Sequence, residues 1–193
     1  VIGFIWAYAI TNPGVNSLRT PVFAEMVNIV KNTDVTFFNF LFDETRFRAQ
    51  FSNYVFSNNR AITKSMITWW AYSFANQSLL SLETAFDIEH IYPRNRQQKE
   101  NSLKNEHSLE MLGNKSLLER RINIRASDYR FADKIKYYEG FQTSKGKKEG
   151  TNIAELKSLA ACHSDWNEQD ITERSHCILN GFIEYLKSNH LLK

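Results

Sequence analysis

Two acids and a histidine stand within four positions of each other, in the run Phe86-Asp87-Ile88-Glu89-His90-Ile91-Tyr92-Pro93. Asn114 and Asn123 follow, nine residues apart (123 − 114). Carboxylate and amide oxygens are what a hard divalent cation takes, and such an ion keeps several waters. An imidazole has its ordinary pKa near neutrality and can accept a proton from water. Glu89 and Asn123 therefore suit ion ligands, and His90 suits a base beside the ion. Asp87 is an alternative or supporting ligand, because residues two apart on a strand share a face.

The elements that must hold these groups can be read locally. Phe86, Ile88 and Ile91 make the run a short strand, which should end near Pro93. On that strand Asp87 and Glu89 share one face and His90 takes the other. Residues 112–118 read as a second strand and 119–126 as a helix carrying Asn123. Between them, 94–107 is polar and reads as a loop. Phe131, Ile135 and Tyr138 suggest a short helix with Lys134 and Lys136 on its wet side. Residues 143–152 hold Lys145, Lys147 and Lys148 and read as a mobile loop. Helices are expected over 153–161 and 170–188.

Upstream, residues 1–10 read as a buried helix, broken at Asn12-Pro13-Gly14. Phe23, Met26, Val27 and Val30 recur at helical spacing. A helix over 44–56 would turn Phe47, Phe51 and Val55 inward, and one over 62–75 would bury Ile67, Trp70 and Phe74. Trp69 and Trp70 read as core aromatics, one of them partly exposed, since neighbours on a helix cannot both face inward. These readings divide the chain into a helical scaffold over 1–80 and a region over 81–193 that carries the chemistry, packed as one unit. No Gly-rich phosphate loop supports nucleotide binding.

The strings Asp87-Ile88-Glu89-His90-Ile91-Tyr92-Pro93 and Leu112-Gly113-Asn114-Lys115-Ser116-Leu117-Leu118, with Asn123, resemble the HNH (ββα-metal) nuclease motif of the GmrSD type, found in modification-dependent restriction enzymes. Phe131, Lys134 and Tyr138, then Trp166, Ile171 and Arg174, are similar to that family's later pattern. The likeness spans residues 85–186. It implies a mainly α, α+β fold with a small ββα-metal insertion, and metal-dependent cleavage of DNA. It makes His90 the base, Asn114 the brace that orients it, and Glu89 and Asn123 the ligands of Mg²⁺, with Mn²⁺ a substitute. Glu89 stands where an aspartate is commoner. The family also implies a separate N-terminal nucleotide-hydrolysing sensor domain, on this chain or a partner. Its absence here, with no initial Met, suggests the effector part of a longer restriction or anti-phage defence protein.

Arg94 and Arg96 follow the first strand, and Arg120, Arg121 and Arg125 flank Asn123, where phosphate-positioning residues are needed. Such a charge run is equally a solvated face. Each motif residue also has a plain reading: a satisfied histidine, turn chemistry at Gly113-Asn114, a polar helix position at Asn123. Their joint order carries the argument. A catalytically silent helical interaction module and an RNase are the alternatives. Net charge is only +3 and decides nothing about partners. Two cysteines make neither a metal site nor a disulfide framework, which fits a reducing cytoplasm. Residues 1–10 are too short to span a bilayer, so no membrane partner is expected.

Overall fold

The computed structural model describes residues 1–13 and 18–193, so Gly14 of the expected helix break lies outside the described residues. The fold is mainly helical with two small antiparallel sheets, an α+β arrangement. The chain forms two compact units, Val1–Tyr54 with Cys177–Lys193, and Val55–His176. No described helix is long and apolar enough to cross a membrane.

The first unit contains α1 (Ile2–Thr11), α2 (Arg19–Ala24), α3 (Met26–Lys31), α4 (Glu44–Asn53) and the later turns of α10 (Glu168–Ser188). Its core is aromatic: Phe4, Trp6, Phe37, Phe42, Phe47, Phe51 and Phe182 are all buried. Phe47 lies 5.8 Å and Trp6 5.9 Å, centroid to centroid, from Phe182 on α10. The Asp43 carboxylate caps α4 by accepting from the Arg46 amide at 2.7 Å. That helix stops at Asn53, so Val55 falls beyond it and is 45% exposed. The stripe of Phe23, Met26, Val27 and Val30 also faces solvent. Helical spacing shows that residues share a side and does not show what covers it.

The second unit places the site. β1 (Phe86–His90) pairs antiparallel with β2 (Lys115–Glu119), with His90 opposite Lys115 and Glu89 opposite Ser116. β2 runs directly into α7 (Arg120–Ala126), and α5 (Ala61–Ala71) packs against β2. α8 (Phe131–Glu139), α9 (Ala154–Cys162) and the first turns of α10 complete the unit. Trp69 and Trp70 on α5 are both half-buried, and the Trp70 indole donates to Glu155 Oε1 at 2.6 Å.

Three expectations change here. The second strand begins at Lys115, because Leu112–Asn114 form a 3₁₀ turn. The polar stretch after Pro93 is a helix, α6 (Arg94–Glu100), started by Pro93 at its N-cap and ended by Asn101 in the left-handed region. The lysine-rich stretch is a hairpin of β3 (Gly140–Thr143) and β4 (Gly146–Glu149), turned at Gly146 with φ +112°.

The Leu112–Asn114 turn is fastened by α10. Buried Arg174 donates through Nη1 to the carbonyls of Leu112, Gly113 and Lys115 at 3.0, 3.0 and 2.8 Å. Its Nε and Nη2 donate to the two Glu155 oxygens at 2.8 Å each. A Cβ on Gly113 would sit 1.9 Å from the Ile171 carbonyl, so only glycine lets α10 approach this closely.

Candidate active site

Glu89, His90 and Asn123 line one cleft of about 260 Å³, together with Ile88, Pro93, Arg94, Ser127, Asp128 and Lys134. The end of β1 supplies the acid and histidine, and α7 supplies the asparagine. Strand alternation had set Glu89 and His90 on opposite faces. Both nevertheless line the cleft, at the end of β1, which stops at His90.

Asn114 is wholly buried and does not reach the cleft. Its Oδ1 accepts from the Tyr92 amide at 2.7 Å, and its Nδ2 donates to the Tyr92 carbonyl at 3.0 Å. Its own carbonyl accepts from the Ile91 amide at 3.0 Å. These bonds fix the chain immediately after His90, so any effect of Asn114 on the cleft passes through backbone geometry.

Two buried lysines hold the acid and the histidine. Lys134 Nζ donates to Glu89 Oε1 and to the His90 carbonyl, both at 2.7 Å. Tyr138 donates its hydroxyl to the same Glu89 oxygen at 2.6 Å. Burial, then the Glu89 charge and its hydrogen bond, keeps the Tyr138 phenol well above its usual pKa, so it remains a donor. Lys115 is fully buried, with Nζ 2.9 Å from Glu110 Oε2, 2.7 Å from Asn58 Oδ1 and 3.1 Å from His90 Nε2. Burial pulls the Lys115 pKa down and Glu110 partly restores it. Burial raises Glu110, but its bonds to Lys115 and Arg94 outweigh that and leave it lowered. Burial, then the charges of Lys115, Arg94 and Lys134, pulls His90 from its usual 6.5 to about 2. The imidazole is therefore neutral across the physiological range, the protonation state a general base requires.

Among the described residues no three His, Cys, Asp or Glu side chains are grouped to hold a metal. Glu89 Oε2 has no hydrogen-bond partner among the described residues and is not sealed from solvent. The Asn123 amide is half-buried and likewise makes no side-chain hydrogen bond there. One carboxylate oxygen and one amide oxygen at a wet cleft fit a hard, largely hydrated divalent ion.

The other expected residues separate. Asp87 does not line the cleft; its two oxygens take the Arg120 guanidinium at 3.0–3.2 Å. Arg94 lines the cleft and is half exposed, paired with Glu110. Arg96 is internal, with a side chain only 11% exposed. It grips Asp165 at 2.9 and 3.1 Å and stacks 4.8 Å over the Tyr92 ring. That makes it a brace for α6, not a free phosphate contact. Arg120, Arg121 and Arg125 line a different groove of about 860 Å³ with Lys148.

Sequence reasoning missed Lys115 and Glu110, and set Lys134 on the wet side of its helix. One signal was present for Lys134. It shares a helix face with Phe131 and Tyr138, at spacings of three and four, and both of those are fully buried. A lysine on such a stripe needs a buried partner.

The family model for the GmrSD restriction endonucleases, C-terminal domain, matches residues 42–180. The match begins well upstream of residue 85, where the motif resemblance starts, and so includes α4 and α5. No curated protein and no solved structure matches the chain.

Proposed function

The chain belongs to the GmrSD restriction endonuclease C-terminal domain family, and from that premise we propose that its cleft hydrolyses DNA phosphodiesters with a divalent metal, Mg²⁺ or Mn²⁺. The observation that carries this reading is the convergence of Glu89, His90 and Asn123, from β1 and α7, on one cleft with two uncommitted oxygens. Glu89, through Oε2, and the Asn123 amide would hold the ion. A bound ion supplies charge stabilisation for the phosphorane and the leaving 3′ oxygen. His90 is neutral and takes the proton of the attacking water. Lys115, Arg94 and Lys134, which depress its basicity, also favour a phosphate at the cleft. The phosphate's negative charge raises the imidazole pKa when substrate is present. Asn114 holds the strand end through Tyr92. By the family likeness, a separate nucleotide-hydrolysing domain would sense DNA modification, and this chain would supply the cleavage.

A specific observation favours one other reading. Glu89 Oε1 and His90 Nε2 are both held internally, as in a silent module whose motif residues only brace a fold. Plasmid nicking in Mg²⁺, in Mn²⁺ and in chelator separates the two: metal-dependent nicking is expected, and no cleavage of either DNA or RNA in any metal supports the silent module. Running single-stranded RNA beside duplex DNA tests for an RNase.

A further inference from the structure

Lys134 sits between the two residues that matter most in the cleft, although it lies 45 positions from Glu89 in sequence. Its side chain is 1% exposed and that of Glu89 is 4% exposed. A lysine is seldom fully buried without a partner. Here one ammonium makes two bonds, to the Glu89 carboxylate and to the His90 carbonyl. Tyr138, one helical turn on, adds the second bond to the same carboxylate oxygen. Oε1 is thereby fully engaged, and Oε2 is the oxygen left for a ligand.

We propose that Lys134 is a positioning residue and resident counter-charge of the cleft. It holds Glu89 so that one oxygen is offered to the ion, and it keeps metal affinity low. This rests on the reading of the cleft as the metal site. The reasoning is electrostatic. A buried carboxylate with no partner is costly, and an ammonium in contact neutralises it. A cation entering beside that pair meets almost no net charge and is repelled by the ammonium a few ångströms away. The apo cleft is therefore stable without metal, and the ion is held firmly only when a phosphate adds negative charge. The bond to the His90 carbonyl ties the end of β1 to the same ammonium, so the carboxylate and the backbone of the histidine move together.

The opposing outcomes make the test specific. Mn²⁺ is titrated calorimetrically into the full chain at neutral pH, for wild type, Glu89→Gln, Lys134→Met and Lys134→Gln. Thermal melting with and without Mn²⁺ and plasmid nicking are run on the same samples. Lys134→Met should bind Mn²⁺ about tenfold or more tighter, because a repelling charge is gone. Its melting temperature should rise more on Mn²⁺ addition than that of wild type. Its nicking should nevertheless fall about 10²-fold, since the carboxylate is no longer aimed. A lysine with a merely structural role would lower stability and activity without tightening metal. Lys134→Gln keeps a donor for Glu89 but loses the charge, so it carries the test if Lys134→Met does not fold. Affinity equal to or weaker than wild type in a folded Lys134 variant overturns the proposal. Glu89→Gln addresses the underlying reading separately: it should abolish Mn²⁺ binding, and wild-type binding there shows that the metal site is elsewhere.

Discussion

The two units bury different things. Among the described residues, the unit formed by Val1–Tyr54 and Cys177–Lys193 buries no charged side chain; Phe4, Phe47, Phe182 and their neighbours fill it. The Val55–His176 unit buries Glu89, Lys115, Glu119, Lys134, Glu155 and Arg174. Apolar burial stabilises in proportion to area, about 1.5–3 kcal/mol for a fully buried large side chain. A buried ion pair is often no better than an apolar replacement of the same volume. Charges kept inside one unit and absent from the other therefore call for a reason other than stability. The structure offers two. Arg174 with Glu155 fastens the turn that presents Asn114 and Lys115. Lys134 and Lys115 face Glu89 and His90 at the cleft.

The sharpest way to isolate the chemistry of the charged unit is His90→Ala. On the proposed function it should lower nicking by about 10²–10⁴-fold, the usual worth of a positioned base. Its fold and Mn²⁺ affinity should be unchanged, whereas Asn123→Ala should lose both metal and cleavage. Nicking at the wild-type rate by purified His90→Ala would remove the histidine from the mechanism.

Stability should break differently in the two units. Phe47→Ala leaves an aromatic-sized hole in an apolar core and should cost about 3–5 kcal/mol. Arg174→Met should cost a similar amount, about 3–5 kcal/mol, by leaving the Glu155 carboxylate buried without its counter-charge, with the Trp70 indole as its remaining donor. Adding Glu155→Met should recover less than half of that loss. The carbonyls of Leu112, Gly113 and Lys115 stay without their donor, and Trp70 loses its acceptor. Full recovery in denaturant melts would show that the pair is only an ion pair.

The same contrast explains what could be read from sequence. The long helices and the ββα order of β1, β2 and α7 were legible because apolar spacing and the Pro93 stop are local signals. The convergence of Glu89, His90 and Asn123 followed from the motif. α6 was not legible: Gln97 is its one buried residue, so no apolar stripe marks it. The β3–β4 hairpin was hidden because Lys147 and Lys148 are both exposed and nothing alternates along β4. Lys134 was misplaced because its partner is distant in sequence, and Arg96 because its commitment to Asp165 is a tertiary fact. Apolar cores announce themselves by period, whereas buried charges depend on partners that a local pattern does not show.

Acid should penalise the charged unit through His90. The folded pKa of His90, about 2, lies below its usual 6.5, so folding disfavours the protonated ring. The stability this group contributes is present above pH 6.5 and is lost as pH falls from there toward 2. The slope is about 1.4 kcal/mol per pH unit for one proton, or roughly 2 kcal/mol by pH 5. Thermal melts of wild type and His90→Gln between pH 7 and pH 5 check this. The variant should show the flatter profile, and parallel profiles would mean that His90 is not held neutral by its surroundings.

The smallest effect concerns charges on the surface of the same unit. Arg121 is exposed with no side-chain partner among the described residues, and Arg125 keeps a buried Nε without one. They lie one helical turn apart on α7, on the side opposite Asn123 by helical spacing. They line the groove that also holds Lys148. Arg96, by contrast, is spent on Asp165 and Glu100. If DNA phosphates follow the groove, Arg121→Glu should weaken binding to every duplex alike. It should reduce the dependence of log affinity on log salt by about one unit, as for one lost phosphate contact. Melting should barely change, because an exposed charge without a partner contributes within about 0.5 kcal/mol. Arg96→Gln should do the reverse, leaving the salt slope intact while loosening α6 and lowering the melting temperature. Fluorescence anisotropy on modified and unmodified duplexes of one sequence, across a salt series, reads both variants. An unchanged slope in Arg121→Glu would move the phosphate path away from α7. Strong preference for the modified duplex would place a sensor within this chain, where the charged unit is proposed to supply only chemistry and phosphate grip.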